Sequence, residues 1–269
     1  MIKKLYPERL EEIPLQGTYL DLKLHKRAKE GDTFIYANYI SSLDGRISLL
    51  DQRTGEFSVP DAIANARDWR LYQELAGQSD VMLTSGRYFR QLAKGIAQDL
   101  LPVGTGPDFA DIQKWRKQQQ LKAQPDVVIL SDSLDIPLEA LCMLSDRKIT
   151  VLTKYGSTLN KLEKLNASGV QVIQAQGAVT GWFIRKTLIT LGYRSAYMIA
   201  GPKVHHTLVS DSCVDELFLT SHFSLLGSQP FHSILEENMD ATKLKLKSLY
   251  LDEEEGQMFM RYTYAKRDE

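Results

Sequence analysis

Short runs of branched apolar residues alternate with helical stretches through the middle of the chain, and this alternation constrains the fold most strongly. Five of these runs are predicted to be strands, at residues 80–84, 126–130, 148–153, 170–175 and 194–200. They lack polar–apolar alternation, so we expect both faces of each strand to be buried, as in a parallel sheet. Helical patterns at 158–168 and 180–191 each end before a glycine that suits a left-handed helix C-terminus. The sequence therefore predicts an open α/β sheet.

Segments toward both ends of the chain complete this sheet. Residues 33–40 are predicted to be a strand, and the SVPD sequence at 58–61 is predicted to be a capping box that starts a helix reaching residue 76. Residues 243–251 and 257–265 alternate in polarity, which predicts an antiparallel hairpin with one solvated face. The expected fold class is α/β, with a mostly parallel central sheet and an antiparallel C-terminal edge hairpin.

The chain is expected to form one main domain over residues 33–269. Residues 1–32 are charged and irregular, and we interpret them as an N-terminal arm with at most one short helix. Residues 94–125 combine glycine, proline and a polar helical pattern, which we interpret as an insertion or a lid. The sequence has no linker that clearly divides the remaining residues.

The composition limits the classes of partner. Lysine and arginine number 33 and aspartate and glutamate 34, for a net charge of -1, so nucleic acid and anionic membranes are not expected partners. The apolar runs fall far short of the roughly 20 residues that span a bilayer. The two cysteines lack metal-ligand spacing, and no metal site is expected. These features favour a cytoplasmic protein that binds a small molecule.

The turns that follow the predicted strands share small polar residues, glycines and cations. They are Ser41-Ser42-Leu43-Asp44-Gly45, Ser85-Gly86-Arg87, Ser131-Asp132-Ser133, Thr153-Lys154, Gln176-Gly177 and Gly201-Pro202-Lys203. Ligands of open α/β sheets bind beyond the carboxyl ends of the strands, so these turns are expected to share one rim. Each turn alone is also an ordinary way to end a strand. Together they favour a dinucleotide that carries phosphate groups.

Two features of this rim suit phosphate. Gly201 and Pro202 open a helix whose free N–H groups form an anion site. Arg87, Lys154 and Lys203 are candidates for phosphate oxygens, including those of an extra 2′-phosphate. The alternative that the two lysines are solvated rim residues stays open. The chain contains neither G-x-G-x-x-G nor a P-loop motif. It therefore lacks the standard sequence fingerprints of a Rossmann dinucleotide site and of a P-loop nucleotide site.

Several motifs also occur in a characteristic order. They are SSLDGR at 41–46, DVMLTSGR at 80–87, VVILSDSL at 127–134, IAGP at 199–202, and VDEL at 214–217 with LLG at 225–227. Together they resemble the reductase domain of the bacterial bifunctional riboflavin-pathway deaminase-reductases. The resemblance covers about residues 33–265.

The resemblance implies a dihydrofolate-reductase-like three-layer fold, NADPH as the cofactor, and a homodimer. In the family reaction, hydride passes from the nicotinamide to the sugar C1′ of a phosphoribosylamino-pyrimidine in its open, imine-like form. By resemblance, Asn38 and Asp44 are the candidate catalytic residues, and Asn38, Ser42 and Ile199 are candidates for contact with substrate. The implied cofactor contacts are Asp44, Gly45, Ser85, Gly86, Arg87, Thr153, Lys154, Gly201, Pro202 and Lys203.

The sequence departs from this family at two places. Ile199 and Ala200 stand where the family has Glu and Gly, and that Glu is implicated in substrate binding. The zinc deaminase signature is absent from the sequence. Two alternatives therefore stay open: reduction of another pterin- or pyrimidine-like heterocycle, and a non-catalytic dinucleotide-binding module. The proton for the reduction is expected to come from water or from Asp44.

Overall fold

The computed structural model describes residues 1–7, 10–98 and 101–264. The strands are β1 Ile2–Tyr6, β2 Glu11–Ile13, β3 Phe34–Ser42, β4 Ser48–Asp51, β5 Glu56–Ser58, β6 Val81–Ser85, β7 Asp126–Leu130, β8 Ile149–Lys154, β9 Gln171–Ala175, β10 Ser195–Met198, β11 Glu216–His222, β12 Phe231–His232, β13 Leu244–Asp252 and β14 Gln257–Tyr264. The α-helices are α1 Ala66–Ala76, α2 Gly86–Ala93, α3 Ala110–Gln118, α4 Leu138–Cys142, α5 Leu159–Ala167, α6 Gly181–Thr190 and α7 Pro202–Ser210.

Eleven of these strands form one sheet, in the order β2-β1-β13-β14-β11-β3-β10-β6-β7-β8-β9. The strands from β11 to β9 are parallel, whereas β14, β13, β1 and β2 each pair antiparallel with their neighbours. The predicted mostly parallel sheet with an antiparallel edge is confirmed. The predicted C-terminal hairpin is β13 and β14 in this antiparallel part, with β1 and β2 outside it. The predicted hairpin residue Ala265 lies outside the described residues. A second, small sheet has the order β12-β4-β5.

The order in which the chain adds strands to the sheet reverses near β3. From β3 the chain passes to β6 and then outward through β7 and β8 to β9. It then returns to place β10 between β3 and β6, and adds β11 on the other side of β3. Such a reversal leaves a crevice beyond the carboxyl ends of the strands, where open α/β sheets bind ligands.

Helices cover both faces of the parallel part of the sheet. Alternate residues of a strand point to opposite faces. On one face, Tyr36 of β3 packs in a buried cluster that includes Leu75 of α1. On the other face, Ile35 belongs to a second cluster with Ile184 of α6 and Leu208 of α7. The protein thus has the three layers that were predicted, with a continuous apolar core on each side of the sheet.

The N-terminal segment is tied closely to this core. β1 pairs with β13, Ile2 is 2% exposed, and the segment before β3 contains the 3-10 helices Leu20–Leu22 and Leu24–Lys26. The buried Glu74 carboxylate of α1 accepts hydrogen bonds from the backbone of Gly17 at 2.6 Å and Tyr19 at 2.9 Å. The charged sequence predicted at most one short helix here, but edge pairing and this carboxylate organise the segment.

The predicted start of α1 is wrong. Ser58 pairs with Leu49 at the end of β5, so its backbone belongs to the small sheet instead of a helix cap. The cap is Asn65, whose side-chain oxygen accepts hydrogen bonds from the backbone of Arg67 at 3.1 Å and Asp68 at 2.9 Å. The helix ends at Ala76 as predicted. This shift of the start matters for the site, because it changes which side chains occupy the first turn.

Residues 94–125 include a helix that packs into the core. Ile112 of α3 is fully buried, and the buried Arg116 donates to the carbonyl oxygens of Gly77 at 2.8 Å and Ser79 at 3.0 Å. Arg116 therefore satisfies carbonyl groups just beyond the end of α1. The described part of this segment supports the core, which differs from the lid interpretation. Residues 99 and 100 lie outside the described residues.

Candidate functional site

A cavity of about 500 Å³ opens at the carboxyl ends of β3, β6 and β10. Its lining comes from these strand ends, from the first turns of α1, α2 and α7, and from the small sheet. The cavity therefore lies at the crevice where the strand order reverses. Its volume falls within the usual range for small-molecule sites.

The strand ends form the floor of the cavity. β3 contributes Asn38, Tyr39 and Ile40. The Tyr39 hydroxyl donates to the carbonyl oxygen of Ala200 at 3.1 Å, which ties β3 to the turn after β10. This bond fixes the position of Ile199, which also lines the cavity.

Two helix N-termini meet the cavity. Ser85 precedes α2 and Gly201 precedes α7, both with extended backbone and without a side-chain cap for the helix N–H groups. Ser85, Gly201 and Pro202 line the cavity. A Cβ on Gly86 would lie 3.0 Å from the Ser131 hydroxyl, so glycine lets α2 approach the loop after β7 closely. Free N–H groups and the helix dipoles make these turns suited to an anion.

Arg87 adds a cation beside the N-terminus of α2. Its guanidinium donates to the carbonyl oxygen of Phe57 at 3.0 Å and lies 5.7 Å from the centre of that ring. The Glu56 carboxylate is 3.8 Å away but also pairs with Lys94 at 3.0 Å. Burial lowers the pKa of Arg87, which the nearby Glu56 charge partly offsets. The small sheet thus holds the partly exposed Arg87 guanidinium at the cavity.

Aromatic side chains form two walls. On α1, Trp69 stacks on Tyr72 with ring centres 4.8 Å apart and an angle of 14°. On the small sheet, His232 packs against Phe57 at 4.0 Å, and its Nδ1 lies 2.7 Å from a Glu236 oxygen. All but Glu236 line the cavity. Flat apolar walls of this kind suit a planar heterocycle.

Asp68 is a cavity residue that the sequence analysis missed. It lies in the first turn of α1, near Thr220 of β11. Burial raises the pKa of Asp68 to about 6, against the smaller opposing effect of the Thr220 hydroxyl. A carboxyl group with a raised pKa in a cleft is a candidate functional residue. The sequence did not single out Asp68, because acids are common in the first turns of helices. The predicted start of this helix was also at the wrong residue.

The structure brings together part of the predicted site. The predicted residues that line the cavity are Asn38, Ser85, Arg87, Ile199, Gly201 and Pro202. Those outside its described lining are Ser42, Asp44, Gly45, Gly86, Thr153, Lys154 and Lys203. Gly86 lies between two lining residues, and Lys203 is an exposed residue in the first turn of α7. Both are therefore within the turns that border the cavity.

Asp44 anchors one loop to another. Its carboxylate accepts from the Ser42 hydroxyl at 2.5 Å and from the backbone of Gly227 at 2.9 Å, and it pairs with Arg46 at 2.8 Å. The Ser42 hydrogen bond, backbone N–H groups and the Arg46 charge lower the pKa of Asp44 to about 2. Gly45 supplies the positive φ of +81° that the turn requires. The turn therefore holds together the loops beside the cavity.

Thr153 and Lys154 lie at the end of β8, two strands away from β6. Neighbouring strands are about 4.8 Å apart, so this position is roughly 10 Å along the rim from the cavity. The Thr153 hydroxyl is 2.9 Å from that of Ser157, and Lys154 is exposed. Only a ligand extended along the rim would reach both the cavity and these residues.

Within the described residues, no cluster of three or more His, Cys, Asp or Glu side chains could hold a metal ion. The helices of the described chain are all too short or too polar to cross a membrane.

A family model for the RibD C-terminal domain matches residues 33–257. Among solved structures, a pyrimidine reductase-like protein of Corynebacterium diphtheriae is 20% identical, with a TM-score of 0.71 over 93% of this chain and 100% of that chain. RibD of Acinetobacter baumannii is 16% identical, with a TM-score of 0.63 over 88% of this chain and 59% of that chain. No curated protein matches the chain in sequence.

The riboflavin biosynthesis reductase of Saccharomyces cerevisiae is 14% identical, with a TM-score of 0.59 over 93% of this chain and 99% of that chain. At these identities the structural likeness shows a shared fold. The predicted dihydrofolate-reductase-like fold and the resemblance to the riboflavin-pathway reductase domain are confirmed.

Proposed function

The chain belongs to the RibD C-terminal domain family, and we propose that it is an NADPH-dependent reductase of a pyrimidine-like heterocycle. The observation that carries this proposal is the cavity at the strand-order reversal, where two helix N-termini and Arg87 face one space. A dinucleotide needs anion sites and a crevice for its nicotinamide, and this cavity supplies both.

The part of the cavity that would bind the cofactor phosphates is assigned to the first turns of α2 and α7. Ser85, Gly86 and Arg87 would hold phosphate and adenosine ribose from one side, and Gly201, Pro202 and Lys203 from the other. Thr153 and Lys154 would meet the outer end of the dinucleotide along the rim. When bound, NADPH supplies the hydride. The guanidinium of Arg87 suits the doubly charged 2′-phosphate, so NADPH is expected to be preferred over NADH.

The substrate half is assigned to the inner part of the cavity. Asn38 of β3 and Asp68 of α1 offer polar groups there, between the Trp69–Tyr72 wall and Ile199. The first candidate substrate is 5-amino-6-(5-phosphoribosylamino)uracil, reduced at the ribosylamino C1′ in its open form. The chain would orient this carbon toward the nicotinamide and exclude water. Asp68, which faces the cavity, is better placed than the loop-anchoring Asp44 to deliver the proton.

Ile199 favours a second candidate, a reductase of another pterin- or pyrimidine-like heterocycle. This side chain replaces the family glutamate in the lining, so a polar contact to the family substrate would be missing. We expect Ile199→Glu to increase kcat/KM for the phosphoribosylamino-uracil about tenfold if that compound is a poor substrate of the native protein. Unchanged or lower kcat/KM would show that the site is not a weakened form of the family site.

A homodimer and a cytoplasmic location are further parts of the proposal, supported by the family resemblance. The oligomeric state is tested by light scattering on the purified chain.

Turnover is the test of the proposed reaction. NADPH consumption is followed with the phosphoribosylamino-uracil, with its dephosphorylated form, and with simple pterins as substrates. Consumption that depends on one of these compounds supports a reductase. Tight NADPH binding without consumption for any of them would favour the non-catalytic dinucleotide-binding module.

A further inference from the structure

The small sheet carries a histidine whose ring is held in place from several sides. His232 of β12 lines the cavity, and its side chain is 25% exposed. Its ring packs on Phe57 with the ring centres 4.0 Å apart, and its backbone carbonyl accepts a hydrogen bond from the N–H of Ile47 at 2.9 Å. Its Nδ1 lies 2.7 Å from a Glu236 oxygen. The sheet, an aromatic contact and a carboxylate therefore set the position of this imidazole.

Glu236 is fixed in turn by the segment that follows β12. The carboxylate oxygen that meets His232 also accepts a hydrogen bond from the backbone N–H of Ser233 at 3.0 Å. The carbonyl oxygen of Ile234 lies 3.1 Å from Nδ1 of His205, a buried residue of α7. The carboxylate thus belongs to a loop that is tied to the core.

The contact with Glu236 decides which ring nitrogen of neutral His232 carries the hydrogen. A carboxylate can only accept hydrogen bonds, so Nδ1 is the donor. Nε2 of the neutral ring then has a free lone pair and is an acceptor. Glu236 lies outside the described cavity lining, and Nε2 has no hydrogen-bond partner among the described residues. The cavity wall therefore offers an oriented acceptor to a ligand.

A hydroxyl group lies beside this acceptor. Ser48 of β4 lines the cavity and pairs with His232 across the small sheet. Residues directly opposite each other in an antiparallel pair point to the same face, with Cβ atoms about 5 Å apart. The Ser48 hydroxyl also has no hydrogen-bond partner within the described part of the chain. An acceptor and a group that both donates and accepts therefore stand side by side.

This pair of groups disfavours two common ligands of histidine. A phosphate dianion has only acceptor oxygens, and Nε2 of this tautomer would repel it. A metal ion needs further ligands, and the described residues contain no cluster of three His, Cys, Asp or Glu side chains that could hold one. Two adjacent hydroxyl groups do fit, because one donates to Nε2 and the other exchanges a hydrogen bond with Ser48. The Phe57 ring beside them suits the C–H groups of a sugar.

We propose that His232 and Ser48 form a diol-binding site, in which His232 accepts a hydrogen bond from one hydroxyl of a ribose and Ser48 binds the adjacent hydroxyl. Glu236 is a positioning residue, since it acts through the tautomer of His232. The ribose belongs either to the substrate or to the nicotinamide half of the cofactor, and only this choice of source rests on the proposed function. The site selects a ligand by its 2′ and 3′ hydroxyls.

Two pyrimidine nucleosides that differ only in these hydroxyls test the site. Uridine and 2′,3′-dideoxyuridine are titrated by calorimetry into the wild type, into His232→Phe and into the control His222→Phe. Phenylalanine keeps a flat ring against Phe57 and removes both nitrogens. His222 of β11 lies outside the cavity lining, where its Nδ1 is 2.9 Å from the Ser224 hydroxyl. The affinity for dideoxyuridine reports whether each variant keeps its folded cavity.

The wild type and His222→Phe are expected to bind uridine at least about tenfold more tightly than dideoxyuridine, and His232→Phe to lose that preference. Ser48→Ala is expected to lower the preference about threefold. Glu236→Ala is expected to lose most of it while binding dideoxyuridine as tightly as the wild type.

NADPH is titrated into the same proteins to identify the source of the ribose. If the ribose belongs to the substrate, His232→Phe binds NADPH as tightly as the wild type. If it belongs to the cofactor, His232→Phe binds NADPH about tenfold more weakly. If neither the nucleoside preference nor the NADPH affinity depends on His232, the proposal is overturned. A chain that binds no NADPH but keeps a uridine preference dependent on His232 would refute the proposed function and leave the diol-binding site intact.

The tautomer of His232 provides a test that needs no ligand. Long-range proton–nitrogen correlation spectra of the neutral ring are expected to place its hydrogen on Nδ1 in the wild type, and to shift toward the Nε2–H form in Glu236→Ala. The signals of His232 are assigned by their loss in His232→Phe. A wild-type ring with its hydrogen on Nε2 would contradict the proposed acceptor.

Discussion

Replacing Asp68 with asparagine is expected to stabilise the folded protein at neutral and alkaline pH. The pKa of Asp68 is raised from 3.8 to about 6 by burial, so ionisation is less favourable in the folded chain than in the unfolded chain. Each pKa unit corresponds to about 1.4 kcal/mol, which sets an upper limit of about 3 kcal/mol at about pH 8. Because the side chain is partly exposed, about 1–2 kcal/mol is the expected gain.

The pH dependence of this gain is its diagnostic feature. Below about pH 4 the wild-type carboxyl group is protonated in both states, so wild type and Asp68→Asn should be equally stable. The wild type loses stability as the pH rises from about 4 to 6, and the difference is constant above that range. At about pH 5 roughly half of the gain is expected.

Urea unfolding at several pH values measures this difference, with Asp61→Asn as the control for loss of one exposed charge. A gain that does not change with pH, or an Asp68→Asn variant that is less stable at about pH 8, would refute the reasoning. A substitution of this cavity residue that stabilises the fold and lowers activity would be the signature of a residue kept for function.

Two further predictions concern the cations and the loop beside the cavity. Arg87→Ala is expected to weaken NADPH binding about tenfold or more. Lys94→Ala removes the other cation that pairs with Glu56, and it is expected to weaken NADPH binding less than twofold. Equal losses would mean that the position of Glu56 matters, instead of direct contact between Arg87 and the cofactor. Because the pKa of Asp44 is lowered to about 2, its carboxylate stabilises the fold above about pH 4, and this contribution is lost as the pH falls toward 2. Asp44→Asn should therefore lower the thermal midpoint at neutral pH but not near pH 2, and a midpoint unchanged at neutral pH would contradict the loop-anchoring role.

The parallel strands could be predicted because they are buried on both faces. Residues 127–130 are a continuous apolar run, and the strand predicted over 126–130 is β7 with the predicted bounds. The N-terminal strand β1 could not be recognised in the same way. It lies near the sheet edge, with its lysines partly exposed, and its pairing with β13 joins the two ends of the chain.

The site could be predicted where it follows from strand ends. Asn38, Ser85 and Gly201 all line the cavity because the carboxyl ends of parallel strands share one rim. The same rule placed Lys154 with them, but the rim extends across seven parallel strands and the cavity occupies only its centre. A shared edge therefore does not imply a shared pocket.

The cavity walls depend on tertiary packing that no local pattern shows. Phe57 and His232 are far apart in the sequence, and they meet because β12 and β5 both pair with β4. Asp68 faces the cavity because Asn65, seven residues after the predicted cap, begins the helix. The turn around Asp44 was a site candidate from its sequence, yet its hydrogen bonds connect loops of the protein to each other.

The central claim is that the cavity binds NADPH through its phosphate groups. The most direct measurement is a titration of the purified chain with NADPH and with NADH, followed by tryptophan fluorescence. Trp69 lines the cavity, and Trp69→Phe identifies its share of the signal. We predict saturable binding of NADPH at least about tenfold tighter than that of NADH. Equal affinities would contradict the 2′-phosphate assignment of Arg87, and no binding of either would contradict the proposed function.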